Sequence, residues 1–551
     1  MTMLRKWPAF VGLAAMTANL AAPVYAFDFR GPQPPQTTTP IKHLVVIYQE
    51  NISFDHYFAT YPHATNPMGE PKFYAAPFTP WVDNLEQDKL LTNNPNLNTA
   101  NGAGAANPFR LDRTQAATAD QNHSYTPEQQ AFDDGKMDLF PKYTGTATTG
   151  GAGAFGTTGQ VMGYYDGNTV TALWNYVQHF AMSDNAYGAA FGPSTPGALE
   201  VVSGQTNGYE AVAGSKTAAF VDDGQGGYTD IGDEDPAFDA CSSSTQMRML
   251  GNNIGDLLNA KGISWGSFMG GFNLELTNAN GTTSCARSST STITGTTADY
   301  VPHHAWFQYY TSTANPTHAR PASPAAIGHT YDANGALDPA NHEYDVNDFY
   351  TAVEQGNFPA VAYIKAPAYQ DGHAGYSDPL DEQAFVVQLV NFLEQRPDWR
   401  ETAVIINYDD SDGWYDHQYF SPTSASYSSA DQLNGNEVCG TGTAPSGLLG
   451  LPINGRCGPG PRLPFILISP YAKPNYVSHQ YITQASVVRF IEDNWLQGKR
   501  LGGGSFDASA GSLLDLFDFR TPFLNPPLFL DAQTGEPIDH PFPFVLSARV
   551  P

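Results

Sequence analysis

Two stretches of the chain decide its fold: HLVVIYQEN at residues 43–51 and TAVIINYDDSDGWYDH at residues 402–417. Each begins as a continuous apolar, β-branched run, which is typical of a strand buried on both faces of a sheet. Each run then ends in polar side chains that a core does not accept without a partner, namely Glu50, Asn51, Asp409 and Asp410. Because adjacent carboxylates repel each other, the two strand ends indicate that a positive charge joins them.

Further apolar runs at 263–269, 359–365 and 463–469 also indicate buried strands. Helical patterns alternate with the strands, at 169–181, 245–260, 380–395 and 484–498. Strands alternating with helices predict an α/β fold, with a mainly parallel central sheet flanked by helices. Residues 65–160 and 270–345 lack this periodicity, and we expect them to form long loop insertions folded over the sheet edge.

The first 26 residues have the pattern of a secretory signal peptide. Arg5 and Lys6 precede an apolar stretch, and small residues lead to a cleavage site after Ala26. We expect residues 27–551 to form a single domain that ends in an extended, Pro-rich C-terminal tail. The apolar stretch is too short for a convincing membrane span, and no later stretch reaches the roughly 20 apolar residues that a helix needs. An exported protein without a stable membrane anchor is therefore predicted.

The net charge of the chain excludes some partners. Without the signal peptide, 54 acidic side chains stand against 24 basic ones, a net charge of −30. Such a charge disfavours nucleic acid as a partner, and it disfavours electrostatic docking to anionic membranes. Solubility is the simplest explanation of the acidity.

The cysteines predict an oxidising compartment. We expect Cys241 to pair with Cys285, and Cys439 with Cys457, since each pair is close in sequence and lies in Gly/Ser/Thr-rich surroundings. A zinc site is the alternative, but no pair has the Cys-x-x-Cys spacing that such a site commonly uses.

The polar strand ends predict a metal site. In open α/β sheets, ligands bind at the carboxyl ends of the strands, where Glu50, Asn51, Asp409 and Asp410 all fall. Three carboxylates and an amide oxygen suit one divalent ion, Ca²⁺, Mg²⁺ or Mn²⁺ by softness, with Zn²⁺ or iron as hydrolytic alternatives. Either motif alone would be explained by a solvated turn, but their joint placement favours the metal.

A third motif, GPSTPGA at residues 192–198, places Ser194 just before a predicted helix, with Thr195 suited to the cap and Pro196 to the first turn. A hydroxyl there faces free backbone N–H groups and the positive end of the helix dipole, which favours a bound phosphate. The alternative is that Ser194 is only a second cap. The motif is not Gly-x-Ser-x-Gly, so a lipase or esterase loses its main support.

Four histidines lie in Gly-, Pro- and Asp-rich loops: His123, His303, His304 and His373. A single loop histidine is usually structural or solvated. A reaction that expels an alcohol from a phosphate ester, however, needs proton donors and positive charge, and imidazolium supplies both below about pH 6.5. Few arginines lie near these motifs, so we expect histidine to provide the charge.

Seven motifs in order resemble the bacterial phosphoesterase family that contains acid phosphatases and non-lipolytic-type phospholipases C. They cover nearly the whole predicted mature chain: IKHLVVIYQENISFDHYFATYP, DQNHSYTPEQQAFDDGKMDLF, MSDNAYGAAFGPSTPGAL, VPHHAWFQYYTSTANPTH, FPAVAYIKAPAYQDGHAGYSDPLDEQ, INYDDSDGWYDH and RLPFILISPYAKPNYVSH. The family signature more often has arginine where this chain has Ile52. Phospholipase members often follow the Gly-Pro-Ser/Thr motif with Asp-Pro-Asn-Arg or His-Pro-Asn-Arg, whereas STPGA is closer to the acid phosphatase branch.

The resemblance implies an alkaline-phosphatase-like fold and one catalytic metal bound by Glu50, Asn51, Asp409, Asp410 and the nucleophile Ser194. It also implies that His123, His303, His304 and His373 line the phosphate site. The leading hypothesis is a periplasmic or secreted bacterial acid phosphatase that hydrolyses phosphomonoesters through a phosphoserine. The alternatives are a phospholipase C that cleaves phosphodiester head groups, and a non-catalytic secreted binding protein. Substrate, metal identity and oligomeric state stay open.

Overall fold

A computed structural model of the chain describes residues 36–212, 219–521 and 525–539. The described residues from Thr37 onward form one compact unit. The predicted signal peptide lies outside the described residues, so the signal peptide and the domain boundaries stay predictions. Within the described part of the chain, each helix is too short or too polar to cross a bilayer.

Eight strands form a central sheet, which confirms the α/β class. In chain order they are β1 (His43–Gln49), β2 (Ala181–Ser183), β3 (Trp265–Met269), β4 (Glu343–Asp345), β5 (Val361–Lys365), β6 (Thr402–Tyr408), β7 (Phe465–Ile468) and β8 (Tyr476–Ser478). Across the sheet the order is β4-β3-β5-β1-β6-β7-β2-β8. Only β7 runs antiparallel to its neighbours among these described strands, so the sheet is mainly parallel, as predicted.

The described residues also form nine α-helices: α1 (Phe54–Phe58), α2 (Tyr125–Phe132), α3 (Phe140–Tyr143), α4 (Thr171–His179), α5 (Ser194–Ser203), α6 (Ile254–Lys261), α7 (Val346–Glu354), α8 (Pro379–Glu394) and α9 (Ala485–Trp495). The helix predicted over 245–260 is wrong in its first half. Asn253 caps α6 through a capping box with Asp256, so the helix begins only at Ile254. The preceding Gln246–Met249 instead pairs as a strand with Asn207–Ala211.

Smaller sheets lie outside the central one. The largest contains five strands: Asn207–Ala211, Phe220–Asp222, Tyr228–Asp230, Asp235–Pro236 and Gln246–Met249. Three two-stranded pairs join Phe109–Leu111 to Gly163–Tyr165, Ala186–Tyr187 to Ile482–Thr483, and Ser288–Ser291 to Gly295–Ala298. The two predicted insertions are not structureless. Short helices, including α2 and α3, interrupt residues 65–160, and the hairpin of Ser288–Ser291 and Gly295–Ala298 interrupts residues 270–345.

The register of the central strands brings the polar strand ends together. β1 lies between β5 and β6, and its residues Leu44 to Ile47 are fully buried. Its last residue, Gln49, pairs with Tyr408, the last residue of β6. Because the two strands are parallel, the residues that follow them leave the sheet side by side at one edge. This edge is the carboxyl end at which α/β folds bind ligands.

Both predicted disulfides are confirmed: Cys241 pairs with Cys285, and Cys439 with Cys457. The described residues contain no free cysteine. The alternative of a zinc site built from cysteines is therefore ruled out.

Residues 525–539, the described part of the predicted tail, contact α8. The backbone N–H of Leu530 donates to Asn391 Oδ1, and the Asn391 amide donates back to the carbonyl of Leu530. The N–H of Leu528 donates to Glu394 Oε1 at 3.0 Å, while Glu394 Oε2 is buried without a partner. Burial raises the pKa of Glu394 to about 8, and the Leu528 hydrogen bond opposes this shift.

Replacing Glu394 by glutamine should reduce the dependence of stability on pH. Between the ordinary pKa of 4.5 and the folded-state pKa of about 8, the unfolded chain loses a proton that the folded chain keeps. The free energy of unfolding of the wild type therefore falls as pH rises through this range. Relative to wild type, Glu394→Gln should gain up to about 1.4 kcal/mol per pH unit.

Denaturant unfolding of both proteins between about pH 5 and pH 8 measures this difference. Glu275→Gln, at an exposed glutamate, is the control and should shift little. A stability difference between Glu394→Gln and wild type that does not grow with pH would contradict the prediction.

Candidate active site

Ser194 is the first residue of α5 and points toward the strand ends. The predicted cap at Thr195 is wrong, because the helix begins two residues earlier, after Pro193, and Thr195 N–H donates to Asp233 Oδ1 at 3.0 Å. α5 approaches β6 closely at Gly197, where an added Cβ would lie 2.2 Å from the carbonyl oxygen of Asp409. Glycine is therefore required for α5 to bring Ser194 to this edge of the sheet.

Three acceptor oxygens surround the Ser194 hydroxyl. Its Oγ lies 3.0 Å from Glu50 Oε2, 3.2 Å from Asp410 Oδ2 and 3.4 Å from Asn51 Oδ1. A hydroxyl has one proton to donate, so it can satisfy only one of the three. The predicted residues thus meet as the sequence suggests, and their oxygens form a site that favours a cation.

Backbone geometry and hydrogen bonds orient this cluster. Asn51 has a left-handed backbone with φ 60°, which asparagine tolerates better than most residues. Its amide nitrogen donates to Asp412 Oδ1 at 3.3 Å, which leaves its amide oxygen facing Ser194. Asp409 Oδ1 accepts the backbone N–H groups of Asn51 and Asp410, both at 2.8 Å. Asp409 Oδ2 is buried with no partner, so one carboxylate oxygen stays available to a ligand.

The crowding of carboxylates shifts their protonation. Burial raises the pKa of Asp410 well above its usual value, and the neighbouring Asp409 raises it further. Asp371, also buried near this cluster, has a pKa of about 8, because burial outweighs the opposing effect of Lys365. Both shifts favour the neutral acid, so without an added cation these buried carboxyls resist ionisation.

Lys365 is a site residue that the sequence analysis missed. It ends β5 at the same sheet edge, is 2% exposed, and its ammonium forms an ion pair with Glu50 Oε1. Burial lowers its pKa, against the effect of Asp409 and Asp371. A signal was present, since the predicted strand 359–365 ends in this lysine. Histidine is therefore not the only source of positive charge at the site.

His303 and His304 are adjacent but face different groups. His304 Nδ1 lies 3.4 Å from Glu50 Oε1, while its Nε2 is buried with no partner. Burial lowers the pKa of His304 well below its usual value, and His303 lowers it further. His303 lies 3.8 Å from Asp235 Oδ1. Burial opposes protonation of His303, but Asp235 and Asp233 raise its pKa above the usual value.

His123 and His373 face each other, with ring centroids 5.9 Å apart. His123 Nδ1 lies 3.1 Å from Asp412 Oδ1, and its Nε2 lies 3.5 Å from the amide nitrogen of Asn51. Burial opposes protonation of His123, but Asp410 and Asp412 raise its pKa well above the usual value. Burial lowers the pKa of His373 to about 4. The surroundings of the four histidines thus favour the charged form of His123 and His303 and the neutral form of His304 and His373.

Glu128 connects the loop before Ser194 to the loop after Asp410. Its Oε1 accepts the hydroxyl of Ser411 at 2.7 Å, and its Oε2 accepts the N–H of Gly192 at 3.3 Å. Burial raises its pKa to about 7. The sequence offered no signal for this role, because Glu128 lies on a helix more than 60 residues from either loop.

Three other groups of side chains bring possible ligand atoms within 4.8 Å of one another: Asp120, His123 and His373; Asp55, Asp416 and His417; and Asp239, Cys241 and His318. Cys241 is in a disulfide, so the last group is not available as a thiolate site. The predicted ligand set differs from all three, since it uses the Asn51 amide and the Ser194 hydroxyl as well as carboxylates. Candidate metal-binding side chains are therefore present among the described residues, which is consistent with a metal-dependent phosphoesterase.

Comparisons with known proteins agree with this chemistry. The family model described as the phosphoesterase family matches residues 41–496. The non-hemolytic phospholipase C of Burkholderia pseudomallei is 25% identical over 565 residues, which cover 96% of this chain and 67% of that protein. Phospholipase C A of Mycobacterium tuberculosis is 23% identical over 93% of this chain and 84% of its own length.

The chain is also similar to two further proteins. The chain spans 58% of the length of the non-hemolytic phospholipase C of Pseudomonas aeruginosa, to which it is 23% identical over 88% of its own residues. A solved structure of a protein in the alkaline phosphatase superfamily from Vibrio parahaemolyticus covers 73% of this chain and 74% of its own, with 10% identity and a TM-score of 0.26.

Replacing Lys365 by methionine should destabilise the protein and increase its response to metal. Without the ammonium, Glu50 is a buried carboxylate with no cation beside it, which costs about 3–5 kcal/mol. A divalent ion would neutralise Glu50 in its place, so Mn²⁺ should raise the melting temperature of Lys365→Met more than that of the wild type. Thermal melting in EDTA and in Mn²⁺ measures both effects.

The control is Lys142→Met, at an exposed lysine over the ring of Tyr143. It should melt like the wild type in both conditions. Equal Mn²⁺ responses of Lys365→Met and wild type would contradict the prediction.

Proposed function

Because the chain belongs to the phosphoesterase family and is thus a phosphoric ester hydrolase, we propose that it hydrolyses phosphomonoesters through a phosphoserine formed on Ser194. The observation that carries the proposal is the position of Ser194 Oγ, 3.0–3.4 Å from one oxygen each of Glu50, Asn51 and Asp410. A structural serine has no need of three acceptors around one hydroxyl. A serine nucleophile, which must lose its proton beside a cation, does need such acceptors.

Glu50, Asn51, Asp409, Asp410 and Ser194 would hold one divalent metal ion. Their fit rests on the acceptor oxygens around Ser194 and on the unpartnered Asp409 Oδ2. When bound, the metal lowers the pKa of the Ser194 hydroxyl and offsets charge on the phosphoryl group. The donor set is all oxygen, which suits Ca²⁺, Mg²⁺ or Mn²⁺, and also permits Zn²⁺ or iron.

Different side chains of the protein carry out nucleophilic attack, charge neutralisation and proton donation. Ser194 gives its proton to a neighbouring carboxylate, Glu50 or Asp410, as its Oγ attacks phosphorus and the ester bond to the alcohol breaks. Water later cleaves the phosphoserine, which releases phosphate and returns a proton to Ser194. His123 and His303, whose pKa values are raised, offset the charge of the phosphoryl oxygens. His304 Nε2, buried without a partner, is the nitrogen free to donate a proton to the leaving oxygen. A bound phosphate raises the pKa of this imidazole, so acidic pH favours the step.

Ser194→Ala should lower kcat for p-nitrophenyl phosphate by at least about 10³-fold, because it removes the hydroxyl on which the proposed covalent intermediate forms. Steady-state rates between pH 4 and pH 9 measure this loss. Ser203→Ala, at the other end of α5, is the matched control and should keep its activity, because the Ser203 hydroxyl faces the backbone carbonyls of Leu199 and Gln205 and not the Ser194 cluster. A Ser194→Ala protein that turns over at the wild-type rate would refute the phosphoserine.

An exported location is part of this proposal. Two disulfides form between the described cysteines, and such bonds persist in oxidising compartments. The N-terminal pattern of a signal peptide supports the same location. We propose that the enzyme acts in the periplasm or outside the cell, on a phosphate ester that is a small molecule or a lipid head group.

Phospholipase C activity is the second candidate, because the relatives reported above carry that name. Aromatic residues in HAWFQYY (304–310) and SFMGGFNLEL (267–276) could line a lipid groove, but their burial does not support this. Trp306, Phe307, Tyr309, Phe268 and Phe272 are at most 2% exposed and contribute to hydrophobic cores.

Parallel assays with a phosphomonoester and with phosphatidylcholine vesicles separate the two candidates. We expect the larger kcat/KM for the monoester, with an optimum below pH 7 and loss of turnover after chelation. Faster turnover of the lipid would assign the chain to the phospholipases. A monoester rate that rises steadily to pH 9 would refute the acid phosphatase.

A further inference from the structure

Arg462 is a buried cation outside the proposed catalytic cluster. Its side chain is fully buried and its guanidinium contacts two carboxylates: Nε lies 3.1 and 3.2 Å from the oxygens of Asp416, and Nη2 lies 3.2 Å from Asp55 Oδ1. Its Nη1 donates to the backbone carbonyls of Asp83 and Asp184, at 2.9 and 3.0 Å. The guanidinium also lies over the ring of Phe54. Few of its donors are left unused.

The same carboxylates look like metal ligands when the arginine is ignored. Asp55, Asp416 and His417 bring ligand atoms within 4.8 Å of one another. His417 Nδ1 lies 2.7 Å from Asp55 Oδ2, and His417 N–H donates to the same oxygen at 2.8 Å. Because Arg462 pairs with both carboxylates, the cation that this group binds belongs to the chain itself.

The two carboxylates that pair with Arg462 lie close in sequence to the proposed metal ligands. Asp55 follows Asn51 by four residues, and Asp416 follows Asp410 by six. Asp416 Oδ2 also accepts the backbone N–H of Asp55 at 3.0 Å, and the Arg462 carbonyl accepts the N–H of Phe54 at 2.9 Å. The cluster therefore joins the segment after β1 to the segment after β6, just beyond the oxygens that surround Ser194.

We propose that Arg462, Asp55 and Asp416 form a clamp of positioning residues that holds Glu50 and Asn51 in register with Asp409 and Asp410 for metal binding. The proposal rests on the metal-dependent function proposed above. None of the three clamp residues contacts Ser194 or supplies an oxygen to its surroundings. Their effect on the metal passes through the two short segments that they tie together, as outer-shell partners act on metal ligands in other sites.

The branched guanidinium of Arg462 is required because it contacts the segment after β1 and the segment after β6 at once. A lysine keeps the charge but offers a single nitrogen, so it can pair well with only one carboxylate. Methionine fills part of the volume and leaves Asp416 buried without its cation, while Asp55 keeps only His417. We therefore expect the order of metal affinity to be wild type, then Arg462→Lys, then Arg462→Met.

The first experiment is calorimetric titration of Mn²⁺ into metal-stripped protein. Arg462→Met should bind Mn²⁺ about 10- to 100-fold more weakly than wild type, and Arg462→Lys should lie between them. Because the clamp does not touch substrate, KM for p-nitrophenyl phosphate at saturating Mn²⁺ should stay near the wild-type value, and kcat should recover as Mn²⁺ is raised.

The matched control is Arg287→Met. Arg287 is also buried and paired with two aspartates, Asp299 and Asp345, which lie outside both segments. The Arg287→Met protein should be less stable than the wild type but should bind Mn²⁺ with the same affinity. If Arg462→Met does not fold, Asp416→Asn carries the same test, since asparagine keeps the shape and can still accept the Asp55 N–H.

The outcomes separate the two proposals. Wild-type protein that neither binds Mn²⁺ nor hydrolyses phosphate esters would overturn the metal-dependent function and the clamp with it. Wild-type protein that does both, with unchanged Mn²⁺ affinity in Arg462→Met or Asp416→Asn, would overturn the clamp alone. An equal loss of affinity in Arg287→Met would reduce the effect to general destabilisation and would also overturn it.

Discussion

The site depends on electrostatic repulsion among oxygens at one edge of the central sheet. β1 and β6 are adjacent and parallel, so Glu50, Asn51, Asp409 and Asp410 emerge together, and α5 places the Ser194 hydroxyl among them. Such a group of acceptors is unfavourable unless positive charge joins it. Lys365 supplies one cation from inside the protein, and the proposed metal would supply the other.

Much of the surrounding structure serves to hold these groups against their repulsion. Gly197 allows α5 to approach the carbonyl of Asp409, and Glu128 bonds to the loop on either side of the cluster. On the far side, Arg462 neutralises Asp55 and Asp416 where the two strand-end segments continue. Buried cations are thus used beside the cluster and behind it. The cluster itself keeps more acceptor oxygens than its own donors can satisfy, which suits a divalent ion.

The histidines illustrate how burial divides identical side chains into different roles. His123 and His303 lie beside aspartates that favour the imidazolium, whereas His304 and His373 lie where burial dominates and the neutral form is favoured. The first pair can offset charge on a phosphoryl group without any change in protonation. The second pair can exchange a proton when a bound anion changes their surroundings. A site with both kinds of imidazole can neutralise charge and transfer a proton in one reaction.

The sequence by itself determined the α/β class, the central strands, both disulfides and the polar strand ends, because buried strands and local cysteine pairs leave patterns within a few residues. The same patterns predicted that Ser194 would lie at a helix start, although the helix begins two residues earlier than predicted. Only the tertiary structure decided which side chains meet across long separations. Lys365 pairs with Glu50 across 315 residues, Asp416 with Arg462 across 46, and Glu128 with Ser411 across 283. Such contacts follow from strand order and register, which no local pattern contains, and so the charges that stabilise the site emerged only when the chain was folded.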